Sequence, residues 1–263
     1  MIAFSKNKKK ILMKQMLAID IGNTNITMGS FKGERLVNKL KTPTGSCYLY
    51  GRRLRNLCNF IALGGKDEPG VVISSVVPFA LTRLVAELNK TVKCNIVIVG
   101  QNKIVPIKNL YKIKSEVGQD RLVNAFAAKV LYGSPCVILD FGTAVTFDVV
   151  SGRGEYLGGL IFPGIEMSLS SLHKNTALLP RIELKPASSI IGRDTVNSMR
   201  GGILFGLGAM CDALSARYKK MLGKKTRIIA TGGNAALIRR YAKSIQIVDE
   251  DLTLKGLKLI SEL

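Results

Sequence analysis

The stretch LAIDIGNTNIT (residues 17–27) is an apolar run that ends in Asp20, turns through Gly22, Asn23 and Thr24, and resumes with Asn25 and Thr27 as a β-branched alternation. About 120 positions on, ILDFGTAVTFD (138–148) repeats it, with Asp140, Gly142 and Thr143 between two apolar runs. A carboxylate at the end of a strand can hold Mg2+ directly or through water. The glycine lets backbone approach a phosphate, and the amides and hydroxyls that follow donate hydrogen bonds. One copy alone reads equally well as a hairpin turn with an aspartate cap. Two copies, one in each half of the chain, read as the two halves of a phosphate clamp that closes on a nucleotide. The pattern points to an ATP-dependent phosphotransferase. The chain has no G-x-x-x-x-G-K-[ST], which excludes a P-loop enzyme. Gly206-x-Gly208 lies inside a helical pattern and reads as helix packing.

Working outward, 16–21, 25–31 and 35–41 read as three strands, with Gly22-Asn23 at the first turn. A helix is expected over 49–63, then strand 71–77, helix 79–89, strand 95–99 and helix 119–131. The cycle restarts with strands 136–141, 145–150 and 156–162. Helices follow after Pro163-Gly164 and over 194–222, then strand 227–230, helix 234–241, strand 245–248 and helix 252–263. Three strands followed by alternating helices and strands, twice over, is an α/β duplication. Residues 1–16 read as a basic extension, 17–134 as the first subdomain and 135–263 as the second, around a shared cleft.

At 263 residues the chain can bury two cores. Its 47% hydrophobic content argues against disorder. No apolar stretch reaches the roughly 18 residues of a membrane span. The segment 11–22 is broken by Lys14 and Asp20 and lacks a cleavage site, so no secretory signal is read there. The five cysteines (47, 58, 94, 136 and 211) form no Cys-x-x-Cys, which fits reduced, buried thiols and no zinc site. The net charge of +21 falls only to +16 without the five lysines of residues 1–16, so the excess is spread over the chain. Met13 and Met16 both read as alternative starts of the chain, and Met16 stands directly before the first strand. A basic field favours anionic small molecules. Without interleaved aromatics, and with no tryptophan, no specific nucleic-acid partner is expected.

GQDR (118–121) opens the helix over 119–131. An acid in a first turn is ordinary, because it complements the helix dipole. The functional reading makes Asp120 a general base toward an alcohol and Arg121 the binder of an anionic substrate group. The single histidine, His173, adjoins Lys174 at a helix end and reads as a surface or packing residue.

Taken in order, DIGNT (20–24), GQDR (118–121), DFGTAVT (140–146), GGLIFPG (158–164), TALLP (176–180) and TGG (231–233) resemble the type III pantothenate kinases. These belong to the acetate and sugar kinase/Hsp70/actin superfamily. The resemblance runs from about Leu17 to the C-terminus. It implies two duplicated ribonuclease H-like, actin-like ATPase domains and ATP-dependent phosphorylation of pantothenate on its terminal hydroxyl, the first step of coenzyme A synthesis. It implies ATP contacts at Asp20, Gly22, Asn23, Thr24, Asn25, Thr27 and Thr143, with Asp20 reaching Mg2+ through phosphate. It implies Asp120 as proton acceptor, pantothenate contacts at Tyr111, Gly118, Gln119, Asp120 and Arg121, and a monovalent cation (K+ or NH4+) on Asp140. Thr195 resembles a pantothenate contact reaching across a homodimer interface, and the family is cytoplasmic. The chain departs from the usual pattern at Val145 (often threonine), at Arg193-Asp194 (often Lys-Asn) and at Ile113-Lys114 (often Asn-Pro). A regulatory or nucleic-acid-associated relative, or a kinase for another small hydroxyl compound, are the alternative readings.

Overall fold

The computed structural model describes residues 15–46, 69–91 and 95–263. The helix expected over 49–63 and Cys47, Cys58 and Cys94 lie outside them. β1 (Gln15–Ile21), β2 (Asn25–Lys32) and β3 (Arg35–Pro43) form an antiparallel meander. β4 (Pro69–Ser75) and β5 (Asn95–Ile98) continue the sheet in parallel on the other side of β1, in the order β3-β2-β1-β4-β5.

The second sheet repeats this plan strand for strand. β6 (Cys136–Phe141), β7 (Ala144–Val150) and β8 (Tyr156–Pro163) are antiparallel, and β9 (Arg227–Thr231) and β10 (Ile247–Val248) are parallel to β6, in the order β8-β7-β6-β9-β10. The duplication expected from the paired motifs is therefore present. Central strands β1 and β6 are covered on both faces, which is why they read as near-continuous apolar runs. Asp20 and Asp140 each stand one residue before the end of their central strand.

Helices fill three layers. α1 (Pro78–Thr91) covers the outer face of the first sheet, with Leu84 and Leu88 against Ile19, Ile21, Met28 and Ile73. α3 (Ile165–Lys174), α4 (Thr195–Leu222) and α5 (Ala235–Ile238) cover the outer face of the second, where Leu169, Leu204 and Ile238 meet Val137, Leu139 and Phe147. Between the two inner faces lie α2 (Gln119–Tyr132) and α6 (Leu252–Ser261). There Val123, Ala127, Leu254 and Leu257 join Ala18 and Val72 to Ile138 and Val150. The C-terminal α6 packs on β1, β2 and β4 of the first sheet.

The helix expected over 234–241 is only the four residues of α5. Beyond it the chain turns, and the Tyr241 hydroxyl clasps both the N–H and the carbonyl of Ala187. Gly208 of α4 lies directly under the Tyr241 backbone, the packing role read for it, whereas Gly206 faces open space.

Candidate active site

The two motif turns meet. Gly22 N–H donates to Asn25 O at 3.0 Å, and Gly142 N–H donates to Ala144 O at 3.1 Å, so each strand end closes into a tight turn. The Thr24 and Thr143 hydroxyls, 119 residues apart in sequence, share a hydrogen bond of 2.8 Å. Asn23, Thr24, Gly142 and Thr143 are exposed there and Asn25 is half-buried, so a ligand can reach both turns. Thr27 stands opposite Asp20 on β2, on the same face of the sheet.

Three carboxylates from three elements converge beside this junction: Asp20 at the end of β1, Asp140 at the end of β6 and Asp120 in the first turn of α2. Burial, then the charges of Asp120 and Asp140, push Asp20 up to about 8. Burial, then Asp120 and Asp148, push Asp140 up to about 7 against the help of Asn124, whose amide donates to Asp140 Oδ2 at 3.1 Å. Asp120 is raised chiefly by burial, against the Arg121 N–H that donates to its Oδ1 at 2.8 Å. Like charges held this close in a poorly solvated cleft disfavour one another's ionisation. The donor set asks for cations. Among the described residues no three His, Cys, Asp or Glu side chains cage a metal. Such a site fits a cation held by one or two carboxylates and completed by phosphate and water.

Glycines bring backbone close to these acids. Gly232 has φ +87°, which other residues rarely adopt, and a Cβ there would overlap Asp140 Oδ1 and the Phe141 backbone. A Cβ on Gly118, the residue that precedes α2, would come within 2.5 Å of Asp120 Oδ1.

On the other side of Asp120 lies a second cluster. Arg121 is clamped by Asp148, a fully buried residue of β7: Nε donates to Oδ1 at 2.7 Å, and Nη2 lies at the same distance. Tyr156 donates to Asp148 Oδ1 at 2.8 Å and Thr146 to Oδ2 at 2.8 Å. Burial pushes Asp148 upward, and Arg121, Thr146 and Tyr156 pull it back. Three donors on two oxygens hold it as the carboxylate. Burial disfavours the Arg121 charge, and Asp148 more than offsets this. Tyr111 adds its hydroxyl's influence to both Arg121 and Tyr156. Its ring lies on Gly158, where a Cβ would sit 3.0 Å away. Arg121 therefore stands beside both Asp120 and Tyr111.

Sequence reasoning missed Asp148, Tyr156 and Asn124. The available signal was the acid that closes the second motif, at the same alternation phase as Thr146. Two expected contacts lie apart from these hydrogen bonds. The Gln119 side chain packs on Gly100, two residues past the end of β5. Thr195 is exposed at the first position of α4. Two departures from the family pattern have simple local reasons. Val145 points into the outer core of the second sheet, where a hydroxyl has no partner to gain. Asp194 caps α4 by accepting from Asn197 N–H at 2.8 Å, a task asparagine and aspartate perform about equally.

Two copies of one five-strand plan, whose Asp-Gly-Thr turns touch across a cleft lined with carboxylates, define an ATP-using phosphotransferase of the actin-like class. The comparisons with known proteins narrow this further. The model of the type III pantothenate kinase family matches residues 16–217. A type III pantothenate kinase of Myxococcus xanthus is 39% identical over 248 residues, 93% of this chain and 97% of the relative. One of Syntrophus aciditrophicus is 40% identical over 248 residues, 93% and 98% of the two chains. The chain belongs to the type III pantothenate kinase family, and it phosphorylates pantothenate with ATP as part of coenzyme A biosynthesis. The crystal structure of a Baf family transcriptional activator from Campylobacter jejuni superposes with a TM-score of 0.57 at 18% identity, over 94% of this chain and 98% of that one, and shows the shared fold. No helix among the described residues is long and apolar enough to cross a membrane.

Proposed function

We propose that phosphoryl transfer runs in line between the two clusters, with Asp120 as the proton acceptor. The observation that carries this is the place of Asp120. It shares the field of Asp20 and Asp140 on one side and borders the Arg121–Asp148 pair on the other. Asn23, Thr24 and Thr143 hold the phosphates of ATP, and Gly22 keeps the backbone close. Arg121 and Tyr111 hold the pantothenate carboxylate end and orient its terminal hydroxyl toward Asp120. Asp120 accepts the hydroxyl proton as the oxygen attacks the γ-phosphorus, and ADP leaves. The protein's part is positioning and charge neutralisation. Asp20 would hold Mg2+ through the phosphates, and Asp140 a monovalent cation such as K+ or NH4+. When bound, these cations neutralise charge on the phosphates and carboxylates.

The enzyme acts as a cytoplasmic homodimer in this reading. Its support is exposed aliphatic side chains in the segment before α4: Leu178, Ile190 and Ile191 are 90%, 75% and 71% exposed. Exposed aliphatic groups of this kind fit a partner subunit. Equilibrium sedimentation of a single species at twice the chain mass is expected.

The test of the reaction is ADP release with ATP, Mg2+ and pantothenate, with and without K+. Turnover is expected to need pantothenate and to rise with K+, and Asp140→Asn is expected to lose the K+ response. An intact K+ response in that variant would remove Asp140 from the cation site. A folded, ATP-binding chain without pantothenate-dependent ADP release would overturn the acceptor.

A further inference from the structure

Lys41 lies where the two halves of the molecule face each other. It stands on β3 opposite Thr27 of β2, and Thr27 stands opposite Asp20 of β1. Side chains in cross-strand register share a face, so Lys41, Thr27 and Asp20 form a row along the cleft floor. Strands are spaced by about 4.8 Å, which places the Lys41 backbone roughly 10 Å from that of Asp20. Three residues on, Thr44 straps the end of β3 to the first turn: its hydroxyl donates to Gly22 O at 2.7 Å and its N–H to Thr24 O at 2.9 Å. On the opposite wall, Lys41 Nζ lies 3.4 Å from where a Cβ on Gly233 would be, so the ammonium rests on the TGG turn. Lys41 is exposed and has no ion-pair partner among the described residues.

The row has a direction. The phosphoryl that moves must lie at the carboxylate end, within reach of Asp120, and the rest of the polyphosphate runs away from it. From Asp20 one way leads to Ser74 of β4, a buried neutral hydroxyl. The other way leads through Thr27 to the Lys41 ammonium, which has no ion-pair partner among the described residues. We propose that Lys41 binds the phosphates of ATP that are not transferred. The inference rests on the ATP-dependent reaction given above and adds a binding residue to it. Because ADP keeps those phosphates, the contact is the same before and after transfer. Such uniform binding lowers KM for ATP and leaves kcat alone.

Lys41→Met in the full chain tests this, with ADP and adenosine affinities measured by calorimetry beside steady-state kinetics. ADP is expected to bind about tenfold more weakly and KM for ATP to rise by a similar factor, the scale of one partly exposed charge-assisted hydrogen bond. Adenosine affinity and KM for pantothenate hold within twofold, and Lys41→Arg keeps most of the ADP affinity. Unchanged ADP affinity in a folded Lys41→Met would overturn the inference. So would an equal loss for adenosine, which would mean packing rather than charge. Wild type without pantothenate-dependent turnover, but with ADP affinity still dependent on Lys41, would sink the acceptor and leave Lys41 in place.

Discussion

At the scale of the residue, the site depends on acids that serve different partners. Asp148 has no solvent access and faces three donors, so its work is to hold the Arg121 guanidinium in one place. Asp148→Asn removes the charge and leaves Arg121 largely unpaired. Breaking one member of a buried pair costs about 3–5 kcal/mol, so the melting temperature falls. KM for pantothenate is predicted to rise at least tenfold while KM for ATP stays within twofold, read from steady-state kinetics below the variant's transition. Parallel rises in both constants would mean general loosening of the cleft. Asp148 was hidden in the sequence because TFD reads as the tail of an alternating strand. Its importance arises only when α2 brings Arg121 against β7. Lys41 was hidden for the same reason, on a strand whose other lysine, Lys39, pairs with Asp251. Asp20, Asp120 and Asp140 stood out in the sequence, because the Asp-x-Gly turn occurs twice and GQDR falls between the two copies.

At the scale of the element, the repeated strands were readable because β1 and β6 carry apolar runs closed by the same turn. The arrangement of helices was not. Nothing in the spacing of LTLKGLKLIS shows that the last helix returns to the first sheet and lies beside α2. The residue that permits this is Gly256, where a Cβ would come 2.7 Å from Val123 Cγ1 and 2.9 Å from Val123 O. Backbone oxygen cannot give way as a side chain can. Gly256→Ala is predicted to destabilise the chain by about 1–3 kcal/mol, as overpacked cores do. At about 2–4 °C per kcal/mol for a chain this size, calorimetry should show a clear drop. An unchanged melting temperature would mean that the two helices separate freely.

At the scale of the whole molecule, the cleft gathers acids that the ligand-free fold would rather keep protonated. An aspartate in the unfolded chain titrates near pH 4, whereas Asp140 and Asp20 are raised to about 7 and about 8. The folded state therefore binds more protons than the unfolded one between these values, and stability falls as pH rises through them. Asp140→Asn removes one such group. At pH 8 the ligand-free variant is predicted to melt a few degrees above wild type, with the gap shrinking toward pH 4, followed by calorimetry because the chain has no tryptophan. A gap that grows toward low pH would reverse the sign and refute the electrostatic picture. The same field makes the cleft a receptor for cations and nucleotide phosphates, so ligands should stabilise the fold more at pH 8 than at pH 5. The central claim is that this cleft phosphorylates pantothenate with Asp120 as its proton acceptor. The most direct measurement is turnover of Asp120→Asn beside calorimetric binding of pantothenate and ADP to the same protein. Turnover about 10²–10⁴-fold lower, with both ligands still bound within a few-fold of wild type, is the predicted result; near-normal turnover would contradict it.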